Sequence, residues 1–143
     1  MTSLQSPKPA SGAGVYRAAT WLSGTTTLYL LGWSILTAVF FLSGFTFTIA
    51  DVDMREAVRH APVFVIGALY AETILGGITF LLIRRRRSVA LVVCLLAIGL
   101  QMAIWYCLAI DPYFNGRIGF ALFAAQSILA ILLWLAMMDR ELR

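Results

Sequence analysis

Charge is scarce in this chain. Asp, Glu, Lys and Arg make up 13% of its 143 residues, while 61% are hydrophobic. A soluble domain carries roughly 25% charged residues, so a soluble fold is excluded and a single-domain integral membrane protein is implied. Histidine is scarcer still. His60 is the sole one and falls in a polar stretch, which rules out bis-histidine haem ligation within the chain. Cys94 and Cys107 both lie inside one apolar run. With no CxxC or Cys/His cluster, disulfide-relay and zinc chemistry have no basis. No glycine-rich phosphate loop and no nucleophile–base pair is present. The expectation is a protein without catalytic activity, metal or cofactor.

What is there is four apolar runs. Residues 1–24 hold Pro7, Pro9, Gly12 and Gly14 and no apolar core. They lack the basic start and ~7–15 apolar residues of a cleavable signal. A flexible tail to about Gly14 is expected, then an interfacial segment VYRAATWL with Trp21 at headgroup level. Residues 25–143 form the membrane domain, with spans at about 25–48, 62–83, 88–110 and 118–138. About 20 residues at ~1.5 Å each cross the hydrocarbon. Asp111-Pro112 ends the third span, because proline disfavours helix in the residue before it. Short connections make the four an antiparallel helical bundle. Trp21, Trp105, Tyr106, Tyr113 and Trp134 lie near span ends, as an interfacial belt does.

Basic residues distribute unevenly. Lys8, Arg17, Arg84, Arg85, Arg86, Arg87, Arg140 and Arg143 fall on one side, and Arg55, Arg59 and Arg117 on the other. The positive-inside rule then puts both termini and the arginine loop in the cytoplasm of a bacterial inner membrane. The arginine run sets topology and meets lipid headgroups. No second basic patch or aromatic platform accompanies it, so a nucleic-acid partner is not expected. On the opposite side Asp53 and Glu56 fit a capping box for a short surface helix from Met54 to about His60. Arg55 and Arg59 would oppose a cation there, so a solvated cap is expected rather than a metal site.

The interior holds one polar residue per span. Counted from the cytoplasmic ends, Glu72 is eleven residues deep, Gln101 thirteen, Gln126 twelve and Thr37 twelve. At ~1.5 Å per residue they share a layer about 3 Å thick. Ala68, Glu72 and Gly76 repeat every four residues, and small stripes mark helix contacts in membranes, which turns Glu72 inward. Two readings follow. Glu72 rests neutral and staples helices through Gln101 or Gln126, or it loads and releases a proton or binds a polar solute. A lone carboxylate without a buried basic partner fits the staple better.

Ala61-Pro62, Gly67, Tyr70, Gly76-Gly77 and the Leu81-Leu82-Ile83-Arg84 run resemble small bacterial four-span proteins loosely labelled as sugar transporters. The resemblance covers about 30 residues and implies transport without a defined site. Small multidrug exporters also have four spans and one membrane carboxylate, but theirs lies in the first span, where this chain has none. The leading expectation is an accessory or assembly subunit that packs against membrane lipids and against a larger membrane partner or itself. The alternative is a small proton-coupled or polar-solute transporter centred on Glu72.

Overall fold

Mean apolarity alone does not say where a helix begins. The computed structural model describes residues 11–49, 52–108, 116–139 and 141–142. In it α1 spans Ser11–Leu42, β1 Thr48–Ile49, β2 Val52–Asp53, α2 Met54–His60, α3 Val63–Arg84, α4 Val89–Leu108 and α5 Gly116–Met138. Four of these helices, α1, α3, α4 and α5, are long and apolar enough to cross a membrane. The fold is an all-α multi-pass membrane bundle. The expected Asp111-Pro112 stop and the following turn lie outside the described residues.

The first span differs most from expectation. Helix α1 starts at Ser11 rather than near Thr25, so the segment VYRAATWL is part of it. The threonine triplet reads as a boundary but is not one. The hydroxyls of Thr25, Thr26 and Thr27 donate to the carbonyls of Trp21, Leu22 and Ser23, one turn back, at 3.1, 2.9 and 2.7 Å. A hydroxyl satisfied in this way is tolerated inside an apolar helix. Helix α1 also ends at Leu42, six residues before Thr48. The Ser43 hydroxyl donates to the Val39 carbonyl at 2.8 Å and accepts the Phe45 N–H at 3.1 Å, which turns the chain. Phe45 and Phe47 then fold back on Phe40, with ring centroids 6.2 and 5.5 Å away.

The four long helices form a ring. Helix α1 packs against α3 and α5, and α4 packs against the same two, so α3 and α5 face each other diagonally. One end of the ring carries the α3–α4 turn, the start of α1 and residues 141–142. There Arg86, with φ 54°, ion-pairs with Glu141 at 3.0 Å and sits 4.9 Å over the Tyr16 ring. The Tyr16 hydroxyl donates to the Ile83 carbonyl at 3.1 Å. Leu142 tucks back into a sealed apolar plug with Ala19, Ile83, Ala90 and Leu133.

The other end is covered by a two-residue hairpin, Thr48↔Asp53 and Ile49↔Val52, and by α2. Asp53 caps α2 by accepting the Arg55 and Glu56 N–H groups at 2.9 and 3.1 Å. Arg55 Nε in turn donates to the Phe40 carbonyl at 3.3 Å, closing the end of α1. The Thr46 hydroxyl, with help from the Glu56 N–H, holds the Asp53 carboxyl below its ordinary value of 3.8. A lowered folded-state value means that the cap stabilises above pH 3.8 and is lost as pH falls through the folded value. Thermal melts of parent and Asp53→Ala should therefore differ at neutral pH and converge in acid. A gap that persists at low pH would show that the carboxylate is not what matters at Asp53.

Candidate functional site: a carboxylate clasped by two glutamines

Helix α3 buries Val65, Ala68, Glu72, Thr79 and Ile83 on one face, the stripe that 3.6 residues per turn produces. Glu72 is 1% exposed. An ionisable side chain sealed at this depth needs hydrogen-bond partners, and they come from the two helices beyond α3. From α5, Gln126 Nε2 donates to Glu72 Oε1 at 2.6 Å. From α4, the amide end of Gln101 lies 3.0 and 2.6 Å from Glu72 Oε1 and Oε2, and its nitrogen, turned that way, donates to both. Because α3 and α5 are diagonal, this contact crosses the bundle axis. Cys94 Sγ adds a long contact of 3.8 Å to the Gln126 carbonyl.

Three of the four layer residues thus meet, and Thr37 does not join them. It is buried, yet among the described residues it makes no hydrogen bond to Glu72. The extended α1 shifts the register. Ser34 Oγ lies 2.7 Å from Thr73 Oγ1, and the Tyr70 hydroxyl donates to the Ser34 carbonyl at 3.1 Å. Thr37 sits three residues further along, about 4.5 Å. Ser34 and Thr73 were not singled out from the sequence, and Tyr70 only as part of the resemblance. Their signal was a hydroxyl on each of two neighbouring apolar spans.

The small residues divide their work. Ala68 packs with Val65 and Ile104 toward α4. A Cβ on Gly76 would stand 3.2 Å from Thr27 Oγ1 and 3.7 Å from Leu30 Cδ1 on α1. Gly119 opens an even closer approach, since a Cβ there would meet Trp105 Cδ1 at 2.7 Å. Leu81, by contrast, is 56% exposed. Gly76→Leu should therefore lower the melting temperature in detergent by the equivalent of about 1–3 kcal/mol of overpacking, and Leu81→Ala should scarcely change it. The reverse ranking would mean that Gly76 faces lipid.

Arg84, Arg85, Arg86 and Arg87 are all exposed on the α3–α4 turn. Arg84 lies 6.0 Å from the Phe80 ring centroid. Among the described residues, no three His, Cys, Asp or Glu side chains gather as metal ligands do. A groove of about 460 Å³ opens between α1 and α5, lined by Leu22, Thr25, Thr26, Tyr29, Ala121, Leu122 and Ala125. None of the clasp residues lines it. Among the described residues, Ser23 Oγ, Thr79 Oγ1 and Gln126 Oε1 are buried without a hydrogen-bond partner.

Fold and site together define a small helical membrane bundle with a carboxyl–amide cluster in its interior. No protein-family model, curated protein or solved structure matches the chain.

Proposed function

We propose that this protein is a non-catalytic four-span subunit of a bacterial inner membrane, with both termini cytoplasmic. It assembles with a larger membrane complex or with copies of itself. The observation that carries this reading is the sealing of Glu72. Its carboxyl is almost wholly buried, is held by amides from α4 and α5, and lies apart from the one groove described. A carboxyl so enclosed serves the bundle's own packing. The groove between α1 and α5 carries the small residues Ala121, Ala125 and Thr25, the composition that lets a further helix approach closely. The orientation is supported by eight basic residues against three.

A second reading, a small proton-coupled or polar-solute transporter centred on Glu72, is favoured by the unpartnered Ser23 and Thr79 hydroxyls. Buried hydroxyls without partners are where internal water binds. Purification in mild detergent followed by mass spectrometry tests the choice. A subunit co-purifies with a membrane protein or as a defined homo-oligomer. A monomer that moves protons or solute alone in liposomes overturns the subunit reading in favour of transport.

A further inference from the structure

The amide of Gln101 has two ways to be satisfied, and they suit different protonation states of Glu72. With nitrogen toward Glu72, the amide donates to Oε2 at 2.6 Å and Oε1 at 3.0 Å, as an ionised carboxylate requires. With oxygen toward Glu72, Gln101 Nε2 instead donates to the Gly119 carbonyl at 3.4 Å. That arrangement leaves two oxygens 2.6 Å apart, a separation that is attractive only with a hydrogen between them. Gln126 Nε2 donates to Oε1 in either case, so the hydrogen belongs on Oε2. An amide's oxygen and nitrogen are nearly equal in size, so the swap leaves the surrounding packing unchanged.

We propose that Glu72, Gln101 and Gln126 form a binding site for a single proton, whose occupancy sets which way the Gln101 amide faces. The bound proton lies on Glu72 Oε2 and is donated to Gln101 Oε1. When the proton is lost the carboxylate remains, and the amide turns its nitrogen inward. The turn withdraws a hydrogen bond from Gly119 in the first turn of α5, at the place where Trp105 of α4 packs most closely. Proton occupancy is thereby linked to the α4–α5 joint, and by reciprocity a partner that alters the joint alters proton affinity.

No other charged side chain faces the site among the described residues. Helix α4 presents Gln101, α5 presents Gln126, and the Cys94 thiol of α4 contacts the Gln126 carbonyl. On α3 the Tyr70 hydroxyl is committed to Ser34. The proposal uses the same three residues as the bundle lock but does not depend on what the bundle assembles with.

The test is solution NMR of the full chain in detergent micelles, following the Glu72 side-chain carboxyl carbon and the Gln101 side-chain amide against pH. Gln5, Gln101, Gln126 and Asn115 are the only side-chain amides, so the assignment is tractable. The expected result is a shift of both Glu72 and Gln101 signals with one common midpoint. Glu72→Gln donates to Gln101 as the protonated acid does, so its Gln101 signal should stay at the parent's low-pH position and lose its pH dependence. A Glu72 carbon that never titrates in the folded protein overturns the proposal. So does a Gln101 amide that stays still while Glu72 titrates, or one that still moves in Glu72→Gln. A negative result here leaves the subunit reading standing, and a solitary, transport-competent protein leaves the proton site standing.

Discussion

Glu72→Leu should leave a bundle that inserts but melts at clearly lower temperature in detergent. Leucine fills much of the same space yet offers nothing to Gln101 or Gln126. Each buried amide left without its partner costs about 1–3 kcal/mol, and membrane hydrogen bonds of this kind contribute roughly 0.6–2 kcal/mol each. Gln126 is the more exposed to this loss, because its Oε1 already has no partner. Glu72→Gln keeps the shape and supplies both a donor and an acceptor, so it should melt within about 1 kcal/mol of the parent. Thermal unfolding of parent and both variants decides the matter. Equal destabilisation by Gln and Leu would mean that the charge, and not the hydrogen bonding, holds the three helices together. If the Gln variant folds and assembles normally yet abolishes a pH-dependent flux in liposomes, the lock is not the residue's main task.

Neutralising Arg84, Arg85, Arg86 and Arg87 together should give a mixed or inverted orientation. Removing four of eight basic residues on that side leaves four against three, and orientation follows that bias. The loss of the Arg86–Glu141 pair is a small matter beside this, since the arginine is 60% exposed and such pairs contribute about 0–1 kcal/mol. Replacing all four by lysine should keep the parental orientation. Reporter fusions after Arg143 and within 52–60 read the result. One unchanged orientation in the neutral variant would assign direction to something other than this turn.

The hydrophobic runs were enough to count the spans and place α3 within a residue at each end. Pro62 precedes that helix and the arginines terminate it, so both boundaries are written in residue chemistry. The first span was harder. Its start was hidden by threonines whose hydroxyls return to their own helix, and its end by phenylalanines that stay apolar while leaving the helix to stack on Phe40. Depth counting grouped Glu72, Gln101 and Gln126, which meet in the bundle. Thr37 lies about three residues along α1 from Ser34, which stands opposite Thr73. Which helices are diagonal, and hence that Gln126 reaches Glu72 across the axis, depends on packing that no single helix pattern contains. Gly119 looked like any glycine near a span start until Trp105 was seen against it.

The diagonal contact also sets an order of events at the ribosome. Glu72 enters the bilayer with α3, and its partner Gln126 lies 54 residues later in the chain. At ~5–20 residues per second that interval is about 3–11 s, during which Gln101 on α4 arrives first and can serve Glu72 alone. Through those seconds the half-made protein holds an acid in lipid with an incomplete set of partners. A chain arrested after α4 would therefore hold Glu72 with Gln101 but without the Gln126 amide that α5 brings.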